Sequence, residues 1–204
     1  MRNADLKSRA LRRAMWALLA VACLGAATVA PAATITIVNA DGAGEGFNDP
    51  TPAAHVGGNT GTTIGQQRLI AFQFAADVWG ALLPSAVEIK ITASFDPLTC
   101  SSTSAVLGSA GARQAFRDFA GAPQAATWYP VALANKLAGV DMAPGVPNST
   151  ADDIQARFNV SLDDGTCLGS TSWYYGLDGN NGTDIDLVVV LLHEFGHGLG
   201  FASF

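Results

Sequence analysis

The chain has 204 residues, 49% of them hydrophobic and 14% charged, which excludes an intrinsically disordered protein and allows one domain with a real core. With 11 Lys+Arg against 17 Asp+Glu, a net charge of −6, it lacks the basic footprint that nucleic-acid binding needs. Its 22 glycines favour a loop-rich fold over a helical bundle.

The first predicted element is a leader. Arg2, Lys7, Arg9, Arg12 and Arg13 form a basic stretch, Ala14 to Ala30 is an uncharged apolar run, and Ala30-Pro31-Ala32 supplies small residues for cleavage. This is the order of a secretory signal peptide, so residues 1–33 are read as signal and 34–204 as the mature domain. The alternative is an uncleaved membrane anchor, for which the run is short; lipidation of Cys23 is disfavoured by Ala20. Removing the leader leaves 6 Lys+Arg against 16 Asp+Glu, a net charge of −10. That suits the acidic surface of a secreted or periplasmic protein with no membrane attachment after cleavage and no nucleic-acid partner. The two remaining cysteines, Cys100 and Cys167, are expected to pair in such a compartment. Two free thiols are the alternative, and no Cys-x-x-Cys spacing supports a metal site.

Thr34 to Val38 alternates and is β-branched, so it reads as a strand. Asn39 to Gly65 is rich in Gly, Pro, Asn and Thr and reads as a long loop. Its acids, Asp41, Glu45 and Asp49, invite calcium, but their spacing matches no known site and a solvated turn is the better reading. Gln66 to Leu83 reads as an amphipathic helix with Leu69, Phe72, Ala76, Trp79 and Leu83 inward and Pro84 as its stop. Val87, Ile89, Ile91 and Ala93 alternate with polar residues and predict a strand with one buried face. Beyond it, Ser101 to Gly111 reads as a loop, Arg113 to Ala120 and Tyr129 to Leu137 as short helices, and Ile154 to Val160 and Ser172 to Tyr175 as short strands.

The chemistry lies at the end of the chain. Leu187 to Gly200 contains H-E-x-x-H: His193, Glu194 and His197. The β-branched run Val188 to Val190 favours strand on its own. A helix is predicted instead over Asp184 to Gly200, because the run is too long for a typical strand and Gly200 suits a C-terminal cap. Thr183-x-x-Asp186 has the form of a capping box at its start. Apolar on nearly every side, it is expected to be a buried central helix. On a helix, residues four apart share a face, so both imidazoles can hold one Zn²⁺ while Glu194 acts as general base toward a metal-activated water. Two ordinary histidines on a buried helix are the alternative. Against it, only three histidines exist and two are here, and Gly196, Gly198 and Gly200 keep the surroundings open. The oxygen-rich loop Asp178 to Asp186 also hints at calcium, but it lacks a distal bidentate glutamate and reads as a turn into the helix.

The run His193 to Phe201 resembles the active-site helix of zincin metallopeptidases, and as far as Gly200 it is similar to the metzincin pattern H-E-x-x-H-x-x-G-x-x-H. Ala71 to Trp79 with Val87 to Pro97, and Trp173 to Asp178, are similar to poorly characterised secreted bacterial zinc peptidases. The resemblance implies an α+β, zincin-like N-terminal subdomain: a mixed twisted sheet with a backing helix and a buried active-site helix. It implies a secreted peptidase with peptide or protein substrates. The pattern departs at its last position, where Ser203 stands in place of the third ligand. His55 is the other histidine; a residue beyond Phe204 is the preferred third ligand, so the chain is expected to be the truncated portion of a longer enzyme. A non-catalytic secreted module with an incomplete zinc site, and a zinc hydrolase acting on other substrates, are the competing readings.

Overall fold

The computed structural model describes residues 31–143, 152–169 and 171–201. The signal-peptide reading falls almost wholly on residues 1–30, outside the described residues. The described residues from 31 onward belong to one compact unit of mixed α+β type, and no helix among them is long and apolar enough to cross a membrane.

The first strand, β1 (Ile35–Asn39), pairs in parallel with β2 (Ile89–Asp96), which pairs in parallel with β6 (Ile154–Asn159). The fourth member, β3 (Gly108–Ala112), runs antiparallel to β6, and the sheet order β1-β2-β6-β3 leaves β3 at an edge. Burial alternates strictly along β2, with Ile89, Ile91, Ala93 and Phe95 inward, as a sheet covered on one face requires. Two small pairs complete the strands: β4 (Ala115–Phe116) with β5 (Tyr129–Pro130), and β7 (Trp173–Tyr174) with β8 (Ile185–Asp186).

Among the described residues, three α-helices accompany them. In α1 (Ile64–Leu82), the Thr63 side chain accepts from the Gln66 amide, and the Leu83 amide closes the last turn on Trp79 before Pro84. The second, α2 (Val131–Ala138), ends at Gly139, whose φ of 70° needs no Cβ penalty. The third, α3 (Leu187–Leu199), packs against α1, β3 and β6. Phe72 of α1 stands at the centre of the core, its ring 4.7 Å from Phe47, 5.0 Å from Phe158 and 5.9 Å from Phe195, spacings at which aromatic edges and faces attract.

Several sequence expectations change. Gly108 to Ala112 is a strand, not the end of a loop, because pairing with β6 supplies the hydrogen bonds that Gly, Ser and Ala do not seek by propensity. Arg113 to Ala120 is no helix: it holds β4 and a turn in which Asp118 takes φ 56°. The inward face of α1 is rotated, with Leu69 41% exposed and Arg68 1% exposed. The loop at 39–65 is organised by side chains: Asp41 accepts from the Phe47 and Phe95 amides, and Asn59 donates to the Gln67 and Tyr175 carbonyls. Asp153, next to β6, accepts from the Lys90 amide and from Asn135 of α2; burial pushes its carboxyl up to about 6. Cys100 and Cys167 form a disulfide across a separation of 67 residues, worth about 4 kcal/mol in the chain-entropy model.

Candidate active site

The site is built on the last two turns of α3. The helix starts at Asp186, whose carboxylate accepts from the Val189 amide at 3.2 Å. Thr183 is therefore not the cap, and Asp184 instead accepts from the Ser172 amide at 3.2 Å. Helical spacing beats the β-branched run because Leu187, Val188, Leu191 and Phe195 are buried on one side. The burial is one-sided rather than complete, since Val189 is 62% exposed.

Glycine fixes how closely α3 approaches its neighbours. A Cβ at Gly198 would sit 2.5 Å from Ile154 Cγ2, so only glycine lets the helix lie this near β6. Gly200 ends the helix with φ 116°, its amide donating to the Gly196 and His197 carbonyls.

Exposed His193 and half-buried His197 turn their imidazoles toward each other, Nε2 to Nε2 at 3.0 Å. The Nδ1–H of His197 donates to the Phe201 carbonyl at 2.7 Å. That bond fixes the tautomer and leaves His197 Nε2 as an acceptor, here for His193 Nε2–H, the orientation in which metal-ligating histidines are usually held. Two nitrogens about 2.0–2.1 Å from one ion in tetrahedral geometry stand roughly 3.3 Å apart, close to the observed separation. The donor set therefore fits two of the ligands of a zinc centre.

Glu194 points toward the sheet, where its Oε2 accepts from the Ala110 amide at 3.0 Å. The amides and carbonyls of β3 alternate in direction: Leu107 and Arg113 bond to β6 or the residue before it, while Ala110 turns away to the carboxylate. The free edge of β3 thus borders the glutamate. Trp79 of α1 braces the helix from behind. Its indole N–H donates to the Leu192 carbonyl at 3.0 Å, its ring lies 3.4 Å from where a Gly196 Cβ would be, and it stacks on Phe201 at 5.9 Å.

His55 is exposed in the loop before α1. Among the described residues, no three His, Cys, Asp or Glu side chains gather closely enough to hold a metal ion, so His55 does not join the histidine pair. The acids weighed for calcium have protein partners: Asp41 serves the two amides named above, and Tyr174 and Asn180 hold Asp178 down at about 2. Sequence reasoning missed Ala110, whose contribution is a backbone amide and carries no residue signature. It also took Trp79 for a plain core residue, although an indole N–H near buried backbone needs an acceptor. No family model, curated protein or solved structure matches this chain.

Proposed function

We propose that this protein is a secreted zinc-dependent peptidase of zincin-like fold, with His193 and His197 as metal ligands and Glu194 as general base. The observation that carries the reading is the histidine pair: two Nε2 atoms 3.0 Å apart, with His197 locked through Nδ1 on the Phe201 carbonyl. Zinc held by His193 and His197 would supply a Lewis acid for a water and a carbonyl. Glu194, held at Oε2 by the Ala110 amide, takes up the proton of the attacking water at Oε1 and returns it to the leaving amine. An extended peptide would add to the edge of β3 through main-chain groups on either side of the Ala110 amide, which Glu194 holds, a common mode of peptide capture, and so run past the glutamate.

A non-catalytic secreted module with an incomplete zinc site is the second reading, favoured by the lack of a third ligand among the described residues. Metal titration against a chromophoric chelator tests what both readings share. One zinc per chain is expected, lost in His193→Ala and in His197→Ala; an unaltered titration in either variant would sink the site. Peptide hydrolysis by the loaded chain then separates the two readings.

The brace behind the helix carries a further expectation. Trp79→Phe removes the donor to Leu192 and weakens the stack on Phe201, loosening the carbonyl that orients His197. Zinc affinity should fall by about tenfold, the lower end for losing an outer-shell partner, with the circular dichroism spectrum unchanged. Wild-type zinc affinity in this variant would mean that Trp79 only fills space.

A further inference from the structure

The outer face of the sheet carries a groove beside the proposed site. It has a volume of about 480 Å³, runs along β3 and β6, and is lined by Ser109, Gly111, Arg113, Gln155 and Arg157 among others. Cross-strand partners share a face, and the register pairs Ser109 with Arg157 and Gly111 with Gln155. Gln155 and Arg157 are exposed, whereas Ile154, Ala156 and Phe158 are buried. The alternate residues of β3 point the other way: a Cβ at Gly108 would meet the Phe158 ring at 2.8 Å. A Cβ at Gly111 would meet nothing within 4 Å, so the glycine opens a gap in the outer face between Ser109 and Arg113.

Charge gives this gap a polarity. None of the described residues lining it is acidic, in a chain with 17 Asp+Glu against 11 Lys+Arg. Arg157 is committed, its Nε 2.8 Å from Asp96. Arg113 is not: its Nε is buried with no hydrogen-bond partner. Arg113 lines the groove, so a carboxylate there would meet the guanidinium charge in a charge-assisted hydrogen bond without reaching the buried Nε.

We propose that this groove recognises a carboxylate-bearing side chain of an extended peptide paired with β3, with Arg113 as its cation. The proposal rests on the peptidase reading and narrows it to substrates with Asp or Glu at one position. Arg113 lies three residues beyond Ala110, so at about 3.3 Å per residue the acidic side chain binds roughly 10 Å along the strand from the amide facing Glu194. On a strand paired with β3, side chains opposite Gly111 or Arg113 point to the outer face and into the gap.

The test measures binding of fluorescein-labelled extended octapeptides to the full chain in EDTA, which prevents hydrolysis. The peptides carry a single Glu, its isostere Gln, or Lys. The Glu peptide should bind at least tenfold tighter than the Gln peptide. Arg113→Gln should bring the two within twofold while leaving the Gln peptide's affinity unchanged, and Arg113→Lys should retain part of the preference. High salt should reduce the preference in the wild-type chain. Equal binding of Glu and Gln peptides, or a preference that survives Arg113→Gln, would overturn the proposal and leave the peptidase reading standing. Displacement of the Glu peptide by free glutamate or inorganic phosphate at matching concentrations would overturn it in favour of a small-anion site. If no peptide binds at all, the proposal is overturned, and hydrolysis by the zinc-loaded chain decides the peptidase reading separately.

Discussion

Glu194→Gln should lower peptide hydrolysis by the zinc-loaded chain by about 10²–10⁴-fold, the range expected for loss of a positioned general base, and leave zinc bound. The substitution is nearly isosteric. Its amide oxygen can still accept from the Ala110 N–H that Glu194 Oε2 now receives at 3.0 Å, so α3 should keep its seat against β3. What disappears is the ability to take a proton. His193 and His197 do not rely on Glu194, since His197 is oriented by Phe201 and the two rings face each other. Zinc stoichiometry by chelator competition should therefore match the wild-type chain. Hydrolysis undiminished in the variant would remove Glu194 from the mechanism. A wild-type chain that binds zinc and cleaves nothing would favour the non-catalytic reading instead.

What could be read from the sequence about this site was what lies within one helix. His193, Glu194 and His197 are neighbours in the chain, and a spacing of four puts the imidazoles together on any helix. The alternation along β2 and the Pro84 stop were equally local, and both elements formed close to the expected bounds. The parts that failed depend on distant partners. β3 is written in Gly, Ser and Ala and exists because β6 offers it a ladder; nothing in Gly108 to Ala112 alone favours a strand. That one strand supplies both the amide facing Glu194 and the floor of the arginine groove. Half of the proposed cleft was therefore invisible before the fold. The capping box failed more narrowly: Asp186 caps the helix itself, and a side chain can serve only one of the two positions that the motif allowed.

Arg68 is a residue that the sequence pattern left without a role. A basic side chain on an amphipathic helix reads as solvent-facing, yet this one is 1% exposed. Its Nε donates to the Tyr175 hydroxyl at 2.9 Å, Nη1 to the Gly46 carbonyl at 2.9 Å and Nη2 to Asp163 at 2.7 Å. The guanidinium also lies 4.4 Å over the Phe95 ring. Burial alone would lower the pKa of Arg68, but Tyr175 and Asp163 outweigh it and hold the group above its ordinary value. Burial, and then the Asp163 charge, raises Tyr175 well above the phenol range, so the phenol stays neutral and donates its own proton to Asp163. The network joins α1 to the loop before it and to the segment after β7.

Arg68→Ala should cost about 3–5 kcal/mol, as expected when one partner of a buried ion pair is removed. In urea this should appear as a lowered midpoint with an unchanged slope. Arg68→Met combined with Asp163→Leu and Tyr175→Phe should recover much of the loss, because replacing a whole buried polar set with apolar residues of similar volume is often neutral. A single-variant loss below about 1 kcal/mol would mean that water solvates the site, leaving the pair worth no more than a surface bridge. Zinc affinity separates this role from that of Trp79, eleven residues further along the same helix. Arg68 has no bond to α3 in its network, so its variants should lose stability while the folded fraction binds zinc as before. Trp79→Phe should do the reverse. One helix would then carry two separable functions: its first half holds the fold closed, and its second holds the histidine pair in register.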